Sequence, residues 1–311
     1  MATANTQFYK GCVAMNGIQL PVLPGVRLSA PHNWDLPPIA GNYVQSNRGE
    51  GARNAVLTFQ LAVLEGSMGF LLGSGGIMDA LLARTDDAAH DTYSNYFQFH
   101  DGRIVWELSG AKVERVSLSC ARGQRLTMDI TVVAPSLNVI NSAPSPTAST
   151  YFSNAGQVVT FAGINFLGYL TDHVVSFELG YTNNHTPDPT INGYLNAAPD
   201  GHPNAMNAST ATGTLGLTFQ LADATDSSRE YGGMVGQGES VAFRVRAASG
   251  TYSDFFTGGL VMQNPNDRSL TMPRQFVSTA YNIIGGNGGL MQWTTSINNP
   301  LLRLSTLGAS A

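Results

Sequence analysis

The stretch KVERVSLSCARGQRLTMDITVVA, residues 112–134, alternates between apolar and polar residues, turns at ARGQR, and alternates again. Successive side chains of a β-strand point to opposite faces, so each arm of this hairpin has one apolar and one polar face. The residues predicted on the apolar face are Val116, Leu118, Cys120, Leu126, Met128, Ile130 and Val132. Those predicted on the polar face are Ser117, Ser119, Thr127, Asp129 and Thr131. The apolar face is typical of a protein core. The polar face is unusual, since an ordinary solvent face would carry Lys and Glu.

The composition of the chain is poor in charge. Its 311 residues allow two domains of ordinary size, each with its own core. Charged residues make up 12% of the chain, about half the usual share. This agrees with a surface buried against partners, and equally with a soluble protein rich in Ser, Thr, Asn and Gly. The formal net charge is −5, with Lys and Arg scattered, so no tight nucleic-acid-binding patch is predicted.

The sequence contains no signal for membrane insertion. MATANTQFYK, at the start, lacks an apolar signal core, and no apolar run approaches the roughly eighteen residues needed to cross a bilayer. We therefore expect a chain that starts out in the cytoplasm. The two cysteines, Cys12 and Cys120, have no metal or redox spacing, and the place of Cys120 on the apolar face predicts a buried free thiol.

The hexapeptide LTFQLA occurs twice, at residues 57–62 and 217–222. Two weaker matches keep the same order: GIQL at 17–20 with GINF at 163–166, and LTM at 126–128 with LTM at 270–272. Three anchors in one order predict the duplication of a domain of roughly 130 residues. The alternative is that unrelated strands converged on the same apolar-polar alternation.

A segment between the two copies marks the domain boundary. PSLNVINSAPSPTAST, residues 135–150, is rich in Pro, Ser and Ala and is typical of a linker. The predicted organisation is a first domain at 1–135, a linker at 136–149, a second domain at 150–285 and a C-terminal arm at 286–311. The arm contains Trp293 and several leucines, so we expect it to pack on its own chain or on a neighbour.

Local patterns within the copies predict mainly β-structure with one helix. The helix is predicted near residues 77–84, after the GSGG break. A hairpin is predicted from 96–100 and 103–108 around Asp101-Gly102, a dipeptide favoured in two-residue type I′ turns. That turn would place Phe99 opposite Ile104 and Phe97 opposite Trp106. In the second copy, VVSFEL at 174–179 and VAFRVRA at 241–247 are predicted strands.

No catalytic, cofactor-binding or metal site is predicted. GSGG at 73–76 has neither the dinucleotide spacing nor a Lys-Ser/Thr ending, and no GxSxG motif is present. The six histidines show no metal-ligand spacing. The acidic pairs Asp86-Asp87 and Asp223 with Asp226 fall in polar turns, where Asp is common for its side-chain hydrogen bonds. We therefore expect the protein not to be an enzyme.

The order of these elements resembles the tail tube proteins, or major tail proteins, of long-tailed bacteriophages. In the first copy the resemblance rests on the GIQL strand, LTFQLA, the short helix, the aromatic hairpin and the hairpin at 109–134. In the second copy it rests on VVSFELGYTNNHTPDPTI, TGTLGLTFQLAD and SLTMPRQFVS. It covers residues 8–280. The first copy lacks a Pro after Leu126-Thr127-Met128, and the second lacks a helical pattern after its LTFQLA.

This resemblance implies two tandem tail-tube-like domains, each a β-sandwich or half-barrel with a short helix, that oligomerise into a closed β-barrel ring. Members with two tube domains per chain are similar to trimers that imitate a hexamer, so homotrimeric rings stacked into a tube are implied. The implied partners are further copies of the chain, the tape measure, terminator and distal tail proteins, and double-stranded DNA in transient passage. The implied location is the virion tail, after assembly in the host cytoplasm.

The physics of a pore leads to the same expectation. A channel wide enough for duplex DNA needs about twenty or more strands at ~4.8 Å spacing and ~40° tilt. If a domain supplies about four strands, closure has to be shared between neighbouring edges, which also removes exposed edges.

Basic side chains would hold the phosphates of passing DNA by releasing counterions, whereas small hydroxyls would not. We therefore predict that the lumen is lined by Ser117, Ser119, Thr127, Asp129 and Thr131. The alternative is that another sheet covers this face or that it is ordinary solvent surface.

Two further function classes stay open at this point. A tail terminator or distal tail ring would share the fold but form one ring rather than a stack. A carbohydrate-binding β-sandwich would place Trp34, Trp106 or Trp293 on a flat exposed patch, whereas the hairpin pattern places Trp106 on an apolar face.

Overall fold

The structure is a computed structural model. It describes residues 12–30, 34–35, 49–50, 55–64, 71, 76–82, 95–101, 104–121, 123–140, 160–166, 169–171, 174–187, 206–207, 212–220, 241–246, 252–257, 259–262, 276–284, 291–297 and 299–304. As predicted, the chain is mainly β.

The first ten strands and a helix of six residues precede residue 141. The strands are β1 (Cys12–Met15), β2 (Ile18–Gln19), β3 (Arg27–Ser29), β4 (Trp34–Asp35), β5 (Gly49–Glu50), β6 (Ala55–Ala62), β7 (Asn95–His100), β8 (Val105–Ala121), β9 (Thr127–Ala134) and β10 (Ser136–Ile140). The helix α1 (Ile77–Leu82) lies between β6 and β7, which confirms the predicted helix near this position.

Twelve further strands follow residue 159. They are β11 (Thr160–Phe166), β12 (Tyr169–Thr171), β13 (Val174–Thr182), β14 (Thr186–Pro187), β15 (Met206–Asn207), β16 (Thr212–Gln220), β17 (Val241–Arg246), β18 (Tyr252–Thr257), β19 (Gly259–Met262), β20 (Phe276–Ile284), β21 (Met291–Ile297) and β22 (Asn299–Leu304).

A sheet of eight strands, here called the shared sheet, runs through both parts of the chain in the order β3-β6-β9-β8-β13-β16-β20-β19. All its pairings are antiparallel. Strand β8 is 17 residues long. Its first part pairs with β7 and β10, and its last part pairs with β9 and β13. Within the described residues the sheet does not close on itself, because β3 and β19 are its outer strands.

The same order of pairings occurs twice along the chain. In the shared sheet, β3-β6-β9-β8 is followed by β13-β16-β20-β19, and the identical LTFQ residues lie in β6 and β16 at the same place in each series. Outside it, β2-β1-β7-β8-β10 has its counterpart in β12-β11-β17-β18-β21. The isolated pairs β4-β5 and β14-β15 also correspond in order.

The weaker sequence anchor at the start of each copy does not follow this correspondence. Gly17 lies in the turn between β1 and β2, with φ of 81°, whereas Gly163 lies inside β11. In the third anchor, Thr127 and Met128 begin β9, and 270–272 lies outside the described residues. The strand order therefore relates the two parts of the chain more consistently than the short sequence matches do, and the duplication and its domain boundaries stay predictions.

The core lies on the apolar face of the shared sheet. All seven hairpin residues predicted on that face are at most 4% exposed. They belong to one apolar cluster with Phe97 and Leu108 of the β7-β8 layer, Ile77 and Leu81 of α1, and Leu215 of β16. Burying one such side chain stabilises the fold by about 1.5–3 kcal/mol. The β7-β8 layer and α1 therefore pack on one side of the shared sheet.

The register of the β7-β8 hairpin differs from the prediction by two residues. Phe99 lies opposite Trp106 and Phe97 opposite Leu108, whereas Ile104 was predicted opposite Phe99. The Asp101 carboxylate accepts a hydrogen bond of 2.8 Å from the Ile104 N–H, and the Asp101 N–H donates to the Ile104 carbonyl at 3.2 Å. The two residues that flank the turn are therefore Asp101 and Ile104, whereas the Asp-Gly dipeptide predicted His100 and Arg103.

The segments predicted as linker and arm both contain paired strands. Ser136–Ile140 forms β10 on the edge of β8, and 141–149 lies outside the described residues. In the predicted arm, β21 and β22 pair with each other, and β21 pairs with β18. The second part of the chain thus ends, like the first, in a strand added beside its outer layer.

Candidate functional site

The polar face of the shared sheet brings all five predicted residues together. Ser117 is the register partner of Asp129, Ser119 is the partner of Thr127, and Thr131 is the partner of Arg115 on β8. Register partners point to the same side of a sheet, so the face continues across the neighbouring strands. Its other polar members are Arg27, Ser29, Thr58, Gln60, Lys112, Ser176, Glu178, Thr182, Thr212, Thr214, Thr218, Ser278 and Asn282.

Several polar groups of this face are hydrogen-bonded to one another. The hydroxyls of Ser119 and Thr127 are 3.0 Å apart, and the Gln60 amide donates to the Asp129 carboxylate at 2.9 Å. On the other part of the face, the hydroxyls of Thr218 and Ser278 are 3.1 Å apart. Donors that are engaged within the face attract a passing solute less than free ones do.

The accessibility of the five predicted residues is uneven. Asp129 is exposed and three of the hydroxyl residues are half-buried, but Ser117 is only 4% exposed. The Ser117 hydroxyl donates a hydrogen bond of 3.0 Å to the Glu178 carboxylate, which belongs to β13. The side chain of Glu178 therefore covers Ser117 on this face.

Three exposed charged residues of the face were missed by the sequence analysis. Arg115 and Glu178 are exposed on β8 and β13, and Arg27 is exposed on β3. Together with Asp129 they line an open hollow of about 500 Å³ above the sheet. The signal for Arg115 was present, since it lies two residues before Ser117 in the same alternation. The sequence contained no such signal for Glu178 and Arg27. They reach this face only because β13 pairs with β8 and β3 pairs with β6.

The β8-β13 pairing is completed by a buried polar contact at its end. The side-chain amide of Asn183, 5% exposed, donates to the carbonyls of Leu81 in α1 at 2.9 Å and Val113 in β8 at 3.1 Å. The carboxylate of Glu114 accepts hydrogen bonds from the His185 N–H at 2.8 Å and lies 2.7 Å from its Nδ1. Residues 183–185 thus tie the second part of the chain to both β8 and α1.

The register of β8 is irregular at the position of this contact. Its pairing with β9 shifts between Val113 and Arg115, which indicates a β-bulge. A bulge leaves a backbone group without its ladder partner, and here the carbonyl of Glu114, the residue within the shift, accepts a hydrogen bond of 2.8 Å from the Asn183 N–H. Asn183 therefore supplies hydrogen-bond donors to β8 where its pairing with β9 is interrupted.

Other features of the described residues give no sign of chemistry. No group of His, Cys, Asp and Glu in the described part of the chain could hold a metal ion. Neither cysteine is in a disulfide, and Cys120 is buried as predicted. Burial raises the pKa of the Cys12 thiol, and it raises the pKa of the Tyr181 hydroxyl well above its usual range. A raised pKa keeps both groups neutral.

The tryptophan patch of a glycan-binding site is not assembled by the described side chains. Trp106 is half-buried, and its indole N–H donates to the Asp101 carboxylate at 3.4 Å. The side chains of Trp34 and Trp293 lie outside those that the structure describes. Among the helices described, none has the length and apolar character to span a membrane.

Comparison with known proteins agrees with the fold. A search of curated proteins finds no match. A protein-family model described as phage tail tube protein matches residues 33–298, which include every strand of the shared sheet except β3. The family is structural, and its members are components of the virion tail that assemble with themselves and with other tail proteins. The match extends over most of the chain, and the chain therefore belongs to the phage tail tube protein family.

Proposed function

We propose that this chain forms homotrimeric rings that stack into the tail tube, and that duplex DNA passes through their lumen on its way to the host. The observation that carries the proposal is the β8-β13 pairing, which joins two series of four strands edge to edge. Such a junction turns two small sheets into one continuous wall. An edge that pairs inside the chain in this way is the kind of contact that can also pair between chains.

The number of strands supports a trimer. Eight strands per chain give about twenty-four strands for three chains, and at ~4.8 Å spacing and ~40° tilt these enclose a backbone cylinder roughly 45–50 Å across. After the side chains are allowed for, this leaves room for a DNA duplex. Two equivalent series per chain would make a threefold ring look sixfold from inside.

The distribution of polarity supports an inward-facing polar face. The apolar face is already covered by the β7-β8 layer and α1, so the wall can present only its other side to a channel. That side carries hydroxyls bonded to one another, and the four charged residues that line its hollow, Arg27, Arg115, Asp129 and Glu178, have charges that sum to zero. We therefore propose that Ser119, Thr127, Asp129 and Thr131 line the lumen directly, and that Ser117 lies beneath Glu178.

A charge reversal tests this assignment. Asp129→Lys replaces an exposed carboxylate of the face by a cation, so phosphates in the lumen would be held by counterion release. We expect phage particles carrying the variant to have tubes of normal length and to eject DNA more slowly. The matched control is Asn138→Lys, on an exposed site of β10 outside the shared sheet, which should leave ejection unchanged. Normal ejection by Asp129→Lys particles with normal tubes would remove Asp129 from the lumen.

The remaining parts of the proposal concern assembly. We infer that the rings are built in the host cytoplasm and that the stack meets a tape measure protein inside, a terminator at one end and a distal tail protein at the other. Discrete rings of purified protein that never stack would instead favour a terminator or distal tail ring.

A further inference from the structure

The two arginines of the polar face lie in one row across the sheet. Arg27 is the register partner of Thr58, Thr58 of Thr131, and Thr131 of Arg115. We call these four residues the arginine row. Three strand spacings separate its ends, which places the two arginine backbones about 14 Å apart. Both arginine side chains are exposed, and both line the hollow above the sheet.

The carboxylates of the face lie in other rows. Asp129 is the register partner of Ser117, one row further along the strands, and Glu178 is the partner of Ser119, two rows further. No described ion pair joins either arginine to a carboxylate, and both carboxylates accept hydrogen bonds from neutral neighbours. The arginine and carboxylate residues therefore belong to different rows along the strand direction, although their side chains line the same hollow.

We propose that the arginine row is a weak, sequence-independent contact site for the phosphate backbone of duplex DNA. Guanidinium groups suit phosphate oxygens because their donors form a planar fork, and the hydroxyls of Thr58 and Thr131 between them add neutral donors. Their spacing is comparable to the ~12 Å width of the major groove, so the two long side chains reach phosphates on either side of it. The carboxylates in the following rows limit the attraction, which lets the duplex move on.

This inference rests on the proposed function, since the row meets DNA only if the polar face lines the channel. It differs from a uniformly non-sticking lumen in predicting one level of contact per chain. Its signature is salt dependence, because each phosphate contact that is lost reduces the slope of log K against log salt by about 0.9.

The experiment is the binding of purified protein to a fluorescent 20-base-pair duplex, measured by anisotropy over a range of salt concentrations. We expect weak binding of two duplexes of unrelated sequence with equal affinity. Arg27→Gln and Arg115→Gln should each reduce the salt slope by about 0.9 per contact, while Arg115→Lys should retain it. Arg125→Gln, an exposed arginine in the β8-β9 turn outside the row, is the matched control and should change neither slope nor affinity.

Several outcomes overturn the inference. They are a wild-type protein that does not bind the duplex, a double variant with unchanged slope, an equal loss in Arg125→Gln, and polyglutamate binding as tightly as DNA, which would identify an acidic polypeptide as the partner. Electron micrographs of the same samples separate the two proposals. Rings or tubes without DNA binding remove only the arginine row, whereas the absence of any ring removes the proposed function.

Discussion

The two faces of the shared sheet are formed by the same strands but differ in burial, polarity and charge. On β8, Leu118 and Cys120 are buried in the core, while Ser119 and Arg115 between and before them face outward. The apolar face contacts α1 and the β7-β8 layer, whereas the polar face includes the exposed side chains of Arg115, Asp129 and Glu178. Burial that stabilises the fold is therefore concentrated on the apolar face, while the contact with DNA that we propose involves the polar face.

The largest effect is expected from truncation on the apolar face. Leu215 of β16 is fully buried, so Leu215→Ala should lower the free energy of unfolding by about 2–5 kcal/mol through lost burial and a residual cavity. The matched control is Thr214→Ala, one residue earlier on the exposed polar face, where we expect a change within about 1 kcal/mol. Urea unfolding of both variants measures the difference, and equal losses would contradict the contrast between the faces.

Asn183 is one of three buried polar residues among those described, and its substitution tests how far the burial of a polar group also contributes to stability. Asn183→Ala leaves the buried carbonyls of Leu81 and Val113 without the side-chain donors they now have, and an unsatisfied buried acceptor costs about 1–3 kcal/mol. We expect a loss of that size in urea unfolding, together with weaker protection of the β8-β13 amides from hydrogen exchange. Asn138→Ala, on exposed β10, is the control. Unchanged protection in Asn183→Ala would show that the strand pairing does not depend on the contact.

A smaller effect is expected from the buried hydroxyl of Tyr181. Burial raises its pKa well above the usual value, so the folded chain keeps the proton while the unfolded chain loses it above about pH 10. The contribution of Tyr181 to the free energy of unfolding is therefore fully present below about pH 10. At higher pH it falls by at most about 1.4 kcal/mol per pH unit. Tyr181→Phe should therefore lose less stability than wild type between pH 9.5 and 11, measured by urea midpoints, with Tyr96→Phe at an exposed site as control. Parallel losses in wild type and Tyr181→Phe would assign the alkaline instability to other groups.

Alternation in the sequence was sufficient to predict which residues lie on each face. The seven apolar residues of the 112–134 hairpin are buried and the five polar ones share the other face, because a strand can orient side chains in only two ways. The turn of the β7-β8 hairpin was misplaced by one residue, since the Asp101 side chain closes the turn at Ile104. That contact has no signature in apolar-polar periodicity.

The composition of the candidate surface was only partly predictable. Residues of the central hairpin were found because they are neighbours in sequence. Glu178 and Arg27 come from strands that reach the face only through long-range pairing, and the burial of Ser117 follows from Glu178. Register between distant strands depends on tertiary contacts, here including Asn183, which no local pattern encodes.

Cryo-electron microscopy of assembled protein, viewed down the axis, tests the central claim most directly. The account predicts a threefold ring with an apparently sixfold inner wall of about twenty-four strands, with Asp129 and Arg115 pointing into the channel. A channel lined by another surface, with the polar face of the shared sheet covered by a neighbouring chain, would contradict it.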